Sequence, residues 1–391
     1  MSQLPWHEEL TAALADRKAA GRYRQNRLRL GEQGVNITVD GKTMLSFCSN
    51  DYLGLAAHPD IKQAFKQAVD KEGVGSGAAH LLTGHSYYHQ ALEEALADFT
   101  GQPRVLLFST GYMANLGAID GLLQRGDAVI QDKLNHASLL DGGRLTEADQ
   151  LRYPHADMSL LHKRLHNAAT AKHRLIVSDG VFSMDGDIAP LPEIMALAKQ
   201  HGAAVLIDDA HGFGVIGKGG RGTVSHFDIA AEAAPIQVGT LGKAFGTGGA
   251  FVAADETVIE TLVQQARSYV YTTAQPPAVA AATLASLKLV EQEDWRREQL
   301  QALIQQFRQG AQQLGLDLMP SETQIQPVVI GDDKKALAIG QQLEQAGILV
   351  GVIRPPTVPK NTARLRITFS ADHKEQDVIQ LLNALEQAIA H

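Results

Sequence analysis

Six short apolar runs separated by helical stretches constrain this chain more than any other feature. They are VLLFST (105–110), DAVIQD (127–132), RLIVSDG (174–180), AAVLIDDA (203–210), PIQVGT (235–240) and GAFVAA (249–254). Each is apolar without alternation, as a strand reads when both its faces are covered. The helical segments between them supply the cover, so the pattern predicts a doubly wound α/β fold with a mostly parallel sheet. Upstream, residues 6–20, 59–72 and 89–101 read as amphipathic helices, the last closed by Gly101. Beyond TTAQPPAVAAATLASLKLVEQ the rhythm changes to helices at 291–314 and 333–346 with strand-like IQPVVIG, ILVGVI and ARLRITFS, a smaller α+β unit. The expected division is an N-terminal helical or extended segment 1–55, a large α/β domain 56–288 and a small C-terminal domain 289–391.

At 391 residues the chain is too long for one small core. Its net charge of −8 argues against a general nucleic-acid binder. No apolar stretch approaches the ~18–20 residues that span a bilayer, and the start, MSQLPWHEEL, lacks the pattern of a secretion signal. The lone cysteine, Cys48 in MLSFCSN, allows no intramolecular disulfide. It points to a reducing cytoplasm and to a packed core thiol. Basic residues gather in DRKAAGRYRQNRLRL: Arg17, Lys18, Arg22, Arg24, Arg27 and Arg29. They form either a solvated helix face or a local positive patch for a polyanionic small molecule.

Ligands of open α/β sheets sit beyond the carboxyl ends of the strands. There, STGYMANLGAI opens a helix whose amides at Gly111 and Tyr112 can face a phosphate. DDAHG carries Asp208, Asp209 and His211, and VGTLGK carries Thr240 and Lys243. Lys243 lies among glycines and small apolar residues, with no acidic neighbour in sequence. An amine desolvated in this way has a lowered pKa and, when neutral, attacks a carbonyl; a surface lysine in a loop is the plain alternative.

Several other motifs fail or stay open. Gly242-Lys243 is followed by Ala244, so it is no P-loop. GVGSGAAH (73–80) has a dinucleotide-like glycine rhythm but follows a helix rather than a first strand. His85 and His89 are one helical turn apart, with no third ligand at zinc spacing. Asp208, Asp209 and His211 could ligate a metal, or Asp208 could cap the next segment while His211 satisfies a buried carbonyl. Taken together, a reactive lysine, an aspartate, His136 and His211, and a helix N-terminus are the parts of a pyridoxal phosphate site.

TLGKAFGTGGAF, IDDAHGFGVIG, DKLNHASLLDG and SDGVFSMDGDIAPL together resemble the α-oxoamine synthases, a fold-type I pyridoxal phosphate group. The resemblance runs from NDYLGL (50–55) to RLRITFS (364–370). TGHSYYHQALEEALADF and RPPTVPKNTARLRIT are most similar to the branch that condenses L-alanine with a pimeloyl thioester, carried on coenzyme A or on an acyl carrier protein. It implies a large domain built on a mostly parallel seven-stranded sheet, and a small α+β C-terminal domain. By the same resemblance, Lys243 binds the cofactor aldehyde and then serves as base and acid at Cα. Asp208 pairs with the pyridine nitrogen, His211 bonds the ring's phenolic oxygen and His136 stacks on the ring. Ser183, Thr240 and the amides of Gly111 and Tyr112 hold the phosphate and ring substituents. Arg366 binds the amino-acid carboxylate, with Asn50 nearby, while Arg22, Arg354 and Thr357 shape the acyl-substrate end. Homodimers with interfacial sites are implied, GVGSGAA and Tyr271 serving the partner's site, and no metal. Within ARLRITFS, Arg364 and Arg366 share one face of a strand, which either faces solvent or serves such a clamp.

Overall fold

The computed structural model describes residues 4–389. Strands β1 (Arg29–Leu30), β2 (Asn36–Val39) and β3 (Lys42–Phe47) come first. Then follow β4 (Arg104–Phe108), β5 (Ala128–Asp132), β6 (Asp149–Tyr153), β7 (Arg174–Asp179), β8 (Ala204–Asp208), β9 (Ile236–Thr240) and β10 (Ala250–Ala254). The last are β11 (Ile325–Gly331), β12 (Ile348–Ile353) and β13 (Ala363–Thr368).

Seven strands form the larger sheet in the order β4-β10-β9-β8-β7-β5-β6. The ladders from β6 through β5, β7 and β8 to β9 are parallel, and β10 runs antiparallel to both β9 and β4. Each apolar run is one of these strands. Successive residues enter opposite cores: Val129, Leu175 and Leu206 pack on one face, and Ile130, Ile176 and Ile207 on the other. Burial on both faces is what removed the alternation from the sequence. The strand without an apolar run is β6, DQLRY, which closes one edge and buries only Tyr153 fully.

The smaller sheet has the order β1-β2-β3-β12-β13-β11, with β3 parallel to β12 and every other ladder antiparallel. It therefore draws strands from both ends of the chain. β2 and β3 are joined at Asp40 and Gly41, both at positive φ (51° and 80°), the conformation of a tight two-residue hairpin. Every residue of β13 is buried between its two neighbours, so Arg364 and Arg366 do not face solvent. Arg364 pairs with Asp185, and Arg366 Nε donates to the Ser183 carbonyl at 2.5 Å.

Helices form where expected, with two corrections, and the cysteine needs a third. His7–Ala19 is helical but buries none of its residues, leaving Trp6, Leu10 and Leu14 about half exposed. Too few apolar residues line it to make a packing face. The helix expected at 291–314 begins at Trp295, because the preceding one runs to Gln292. Cys48 is half-buried rather than a fully packed core thiol, its Sγ 3.6 Å from Ser46 Oγ. The helix Tyr87–Thr100 is closed as the sequence suggests, by Gly101 at φ 69°, and a Ser86/His89 capping box opens it.

Asp209, just past β8, is wholly buried, and Thr223 N–H donates to its Oδ2 at 2.6 Å. Burial pushes its carboxyl up to about 7. Three glycines make room for it: a Cβ at Gly180, Gly212 or Gly222 would lie 2.7, 1.9 or 2.0 Å from an Asp209 oxygen. Gly212→Ala should overpack this pocket at a cost of about 1–3 kcal/mol. It should lower the thermal midpoint; an unchanged melt would show that Asp209 can move aside.

Candidate active site

The carboxyl ends of five strands of the larger sheet bring the candidate residues to one rim. After β4 the chain enters the helix Gly111–Asp120, and after β5 it reaches His136. β7 ends at Asp179, four residues before Ser183, and β8 ends at Asp208, three before His211. β9 ends at Thr240, and Lys243 lies on the following turn. Asp179 and Asp208 are register partners, so two carboxylates lie side by side at neighbouring strand ends.

Lys243 Nζ lies 2.9 Å from His211 Nε2, and His211 Nδ1 lies 2.7 Å from the buried Tyr52 hydroxyl. Tyr52 Oη in turn donates to Asn50 Oδ1 at 3.0 Å. Desolvation lowers the Lys243 ammonium to about 8; Asp208 and Asp179 oppose the shift, and Arg366 adds to it. Burial pushes the His211 imidazole far down, helped by the charges of Lys243, Arg366 and His136, so it is neutral. The acidic partners absent from the sequence around Lys243 are thus supplied by neighbouring strands.

Asp208 is buried, accepting from Asn115 Nδ2 at 2.6 Å and from the Ala210 amide at 3.0 Å. These contacts fix its carboxyl group in place, and among the described residues Asp208, Asp209 and His211 are not one of the clusters sized for a metal ion. Asp179 accepts from the His136 amide at 2.6 Å. Burial and the neighbouring Asp208 raise its carboxyl well above the usual range. His136 caps the helix Ala137–Leu145, its Nδ1 2.7 Å from Ser138 Oγ. Burial lowers its imidazole, against the pull of Asp208.

Arg366 lies close enough to depress both Lys243 and His211. Its Nε is committed to Ser183, and its guanidinium also faces the buried Tyr52 hydroxyl. The Gly111 and Tyr112 amides likewise have no protein acceptor among the described residues, since Thr110 caps Met113 and Ala114 instead. Thr240 Oγ1 donates to the Gly249 carbonyl at 3.3 Å. Tyr112 stands edge-on to His136 at 6.5 Å.

Arg22, Arg354 and Thr357 meet elsewhere, in an open basin of about 620 Å³ shared with Arg17 and Arg24. Arg354 anchors it by donating to the Gly21 carbonyl at 2.9 Å. Tyr271 is 73 % exposed, stacked only under Arg267, and does not enter the site. The histidine pair gains a third member after all: His80 joins His85 and His89 through the turn at residues 80–84. His89 is nevertheless fully engaged, Nδ1 accepting from the Ser86 amide at 3.0 Å and Nε2 donating to the Gln275 carbonyl at 2.8 Å. Burial lowers His80 to about 3 and depresses His85 and His89 as well. Tyr52, Asn115 and Asp179 were not singled out from sequence. Asp179 could have been, because it ends RLIVSDG as Asp208 ends AAVLIDDA.

The family profile of class I and II aminotransferases matches residues 42–385. The 8-amino-7-oxononanoate synthase of Saccharophagus degradans is 58% identical over 97% of this chain and 96% of its own. That of Nitrosococcus oceani is 58% identical over 96% and 100%. Among solved structures, Sphingomonas wittichii serine palmitoyltransferase superposes with a TM-score of 0.93 at 34% identity, covering 99% of this chain and 98% of that one. An 8-amino-7-oxononanoate synthase from Francisella tularensis matches at 0.78 and 32%, covering 89% and 98%. A structure of SPT with PLP matches at 0.91 and 32%, covering 99% and 98%.

The depressed ammonium gives a direct test. In cofactor-free protein, labelling of Lys243 by an amine reagent should rise through pH about 8, read by peptide mass. Asp208→Asn, by removing a stabilising negative charge, should move that midpoint lower still. A midpoint at the ordinary 10.5 would mean that the amine is solvated.

Proposed function

The chain belongs to the class I and II aminotransferase family, and from that premise we propose that it condenses L-alanine with a pimeloyl thioester. The products are 8-amino-7-oxononanoate, carbon dioxide and the free thiol carrier, a step of biotin biosynthesis. The single observation that carries the reading is 58% identity across 97% of this chain to a synthase of that name. The serine palmitoyltransferases share the fold at 34% identity or below in the matches above, so alanine and a pimeloyl group are favoured over serine and palmitoyl.

Pyridoxal phosphate, when bound, supplies an electron sink that stabilises negative charge at the amino-acid Cα. The residues present fit it: two buried carboxyl groups at neighbouring strand ends, a desolvated amine, and a helix N-terminus whose first two amides lack protein acceptors among the described residues. Asp208, buried and held by Asn115, would keep a proton on the ring nitrogen. The Gly111 and Tyr112 amides would face the phosphate, where the helix dipole favours an anion, with Ser183 and Thr240 alongside. His136 would cover one face of the ring, and His211, kept neutral with Nδ1 held by Tyr52, would turn Nε2, now beside Lys243, to the ring oxygen.

Lys243 takes the α-proton of alanine and returns a proton to Cα after carbon dioxide has left. An amine with a pKa of about 8 can do both near neutral pH, which an ordinary lysine cannot. Arg366 holds the alanine carboxylate, its plane set by Ser183, and Asn50 closes that end through Tyr52. Arg22, Arg354 and Thr357 receive the acyl carrier; the basin's guanidinium groups suit the anionic phosphates that both coenzyme A and a carrier-protein arm present.

The working unit is a homodimer with sites at its interface. Supporting this, large apolar and aromatic side chains stand exposed: Val74 and Leu82 at 78 % and Tyr271 at 73 %. Tyr271 and the GVGSGAA segment then serve the partner's site. No helix of the described residues is long and apolar enough to cross a membrane. The unpaired Cys48 supports a reducing cytoplasm.

Release of free thiol from pimeloyl, acetyl and succinyl thioesters, with alanine, glycine or serine added, tests the assignment. Alanine with the pimeloyl thioester should be fastest; faster turnover of glycine with acetyl thioester would overturn it. Arg366→Lys should raise the alanine KM at least tenfold and leave the thioester KM nearly unchanged, since an ammonium lacks the planar fork, a difference of about 1.4 kcal/mol or more. Arg22→Gln should do the reverse and weaken the salt dependence of thioester use. If both variants raise both constants alike, the two ends are not separate.

A further inference from the structure

His155, directly after β6, is outside every motif considered above and touches none of the residues given a chemical role. Its two ring nitrogens both face carboxylates. Nδ1 lies 3.2 Å from Asp132 Oδ2 and Nε2 lies 2.8 Å from Asp187 Oδ2. A carboxylate only accepts, so both nitrogens must carry protons and the ring is an imidazolium. Phe182 meets the same ring edge-on at 4.4 Å.

The two carboxylates belong to the two loops that flank the site. Asp132 ends β5 and is 1 % exposed; its Oδ1 accepts from the Leu134 amide at 2.8 Å and its Oδ2 from the Ala156 amide at 2.9 Å. That turn runs on through Asn135, whose Nδ2 donates to the Val177 carbonyl, to His136. Asp187 lies across the turn that carries Ser183, its carbonyl accepting from the Phe182 amide at 3.0 Å. Asp185 on the same turn is paired with Arg364, two residues from Arg366. Ala156, the residue after His155, is held at φ 50°, a left-handed conformation that costs a non-glycine residue about 1–2 kcal/mol. The Asp132 bond to its amide holds it there.

We propose that His155 is a positioning residue: bridging Asp132 and Asp187, it holds the His136 loop and the Ser183 loop at a fixed separation across the site. It thereby sets the carbonyl that aligns Arg366, and so the affinity for the amino acid. The inference rests on the reading of Arg366 as the amino-acid clamp. It adds to that reading a residue behind the site that neither the cofactor nor the substrates reach.

The charged groups facing His155 are Asp132 from β5 and Asp187 and Asp185 from the Ser183 turn. Arg364 opposes them through Asp185, and the Tyr153 hydroxyl is too strongly buried to ionise. Burial alone would depress the imidazolium, but hydrogen bonds and charge from Asp132 and Asp187 raise it from 6.5 to about 10. A raised folded-state pKa stabilises the protein fully below pH 6.5, and that stabilisation is lost as pH climbs through about 10.

The test uses the holoenzyme and the cofactor-free protein of His155→Gln. The alanine KM should rise about tenfold, a fraction of what an ångström of misplacement costs, while the thioester KM holds. The gap in thermal midpoint from wild type should be widest near pH 6.5 and close toward pH 10. Asp187→Asn, which keeps the Asp132 half of the bridge, should give the same split in smaller degree and serves if His155→Gln does not fold. An alanine KM like the wild type's, both constants rising together, or a pH-independent gap would each overturn the proposal. If the wild type itself releases no thiol, the reaction assignment fails. Alanine titrated against the absorbance of the bound cofactor then still reads the tenfold loss in affinity.

Discussion

A single desolvated amine organises this molecule. Lys243 keeps a proton poorly because the rim of a parallel sheet, capped on both faces by helices, has little water to offer it. A charged lysine there would need a full partner, and the two nearest carboxylates are spoken for. Asp208 is bound by Asn115 and the Ala210 amide, and Asp179 is buried, raised in pKa and bonded to the His136 backbone. The result is an amine balanced near neutrality beside buried carboxyl groups, with His211 and Tyr52 relaying its orientation to the surrounding loops.

The smaller sheet completes that environment from outside. Arg366 and Arg364 lie on one face of β13 and reach across to the turn that follows β7. Gln324 donates to the His211 carbonyl at 2.7 Å, and Ser321 to the Gly186 carbonyl at 2.9 Å. These are bonds between groups with almost no access to water, where an unmade partner costs about 1–3 kcal/mol. The two sheets are therefore tied most firmly where the chemistry takes place.

Much of this was readable without coordinates, for a physical reason. Continuous apolar runs mark doubly covered strands, and functional groups of such sheets gather at the carboxyl ends. So Lys243, Asp208 and His211 could each be placed at a strand terminus from order alone, while His136 gained weight only beside the other parts of the set. β6 escaped because an edge strand carries no such run. β1 and β2 escaped because they are short and partly exposed, and β3 because its first two residues face water, although Asp40-Gly41 between them is a strong hairpin signal. Arg366 was legible only through resemblance: alternation put it on a face without saying that the face was covered. Tyr52, Asn115 and His155 act through contacts between segments far apart in the chain, which no local pattern encodes.

The pairing of β3 with β12 also sets an order of events during synthesis. Phe47 faces Val350, about 300 residues later. At roughly 5–20 residues per second, the ribosome delivers the second strand some 15–60 s after the first. In that interval the whole larger sheet has emerged and can close on itself, since its strands all lie between Arg104 and Ala254. The β2–β3 hairpin must wait with an unpaired edge, and Arg366 arrives last. The newborn chain thus builds the amine and its carboxylates first and gains its substrate clamp only near the end of translation.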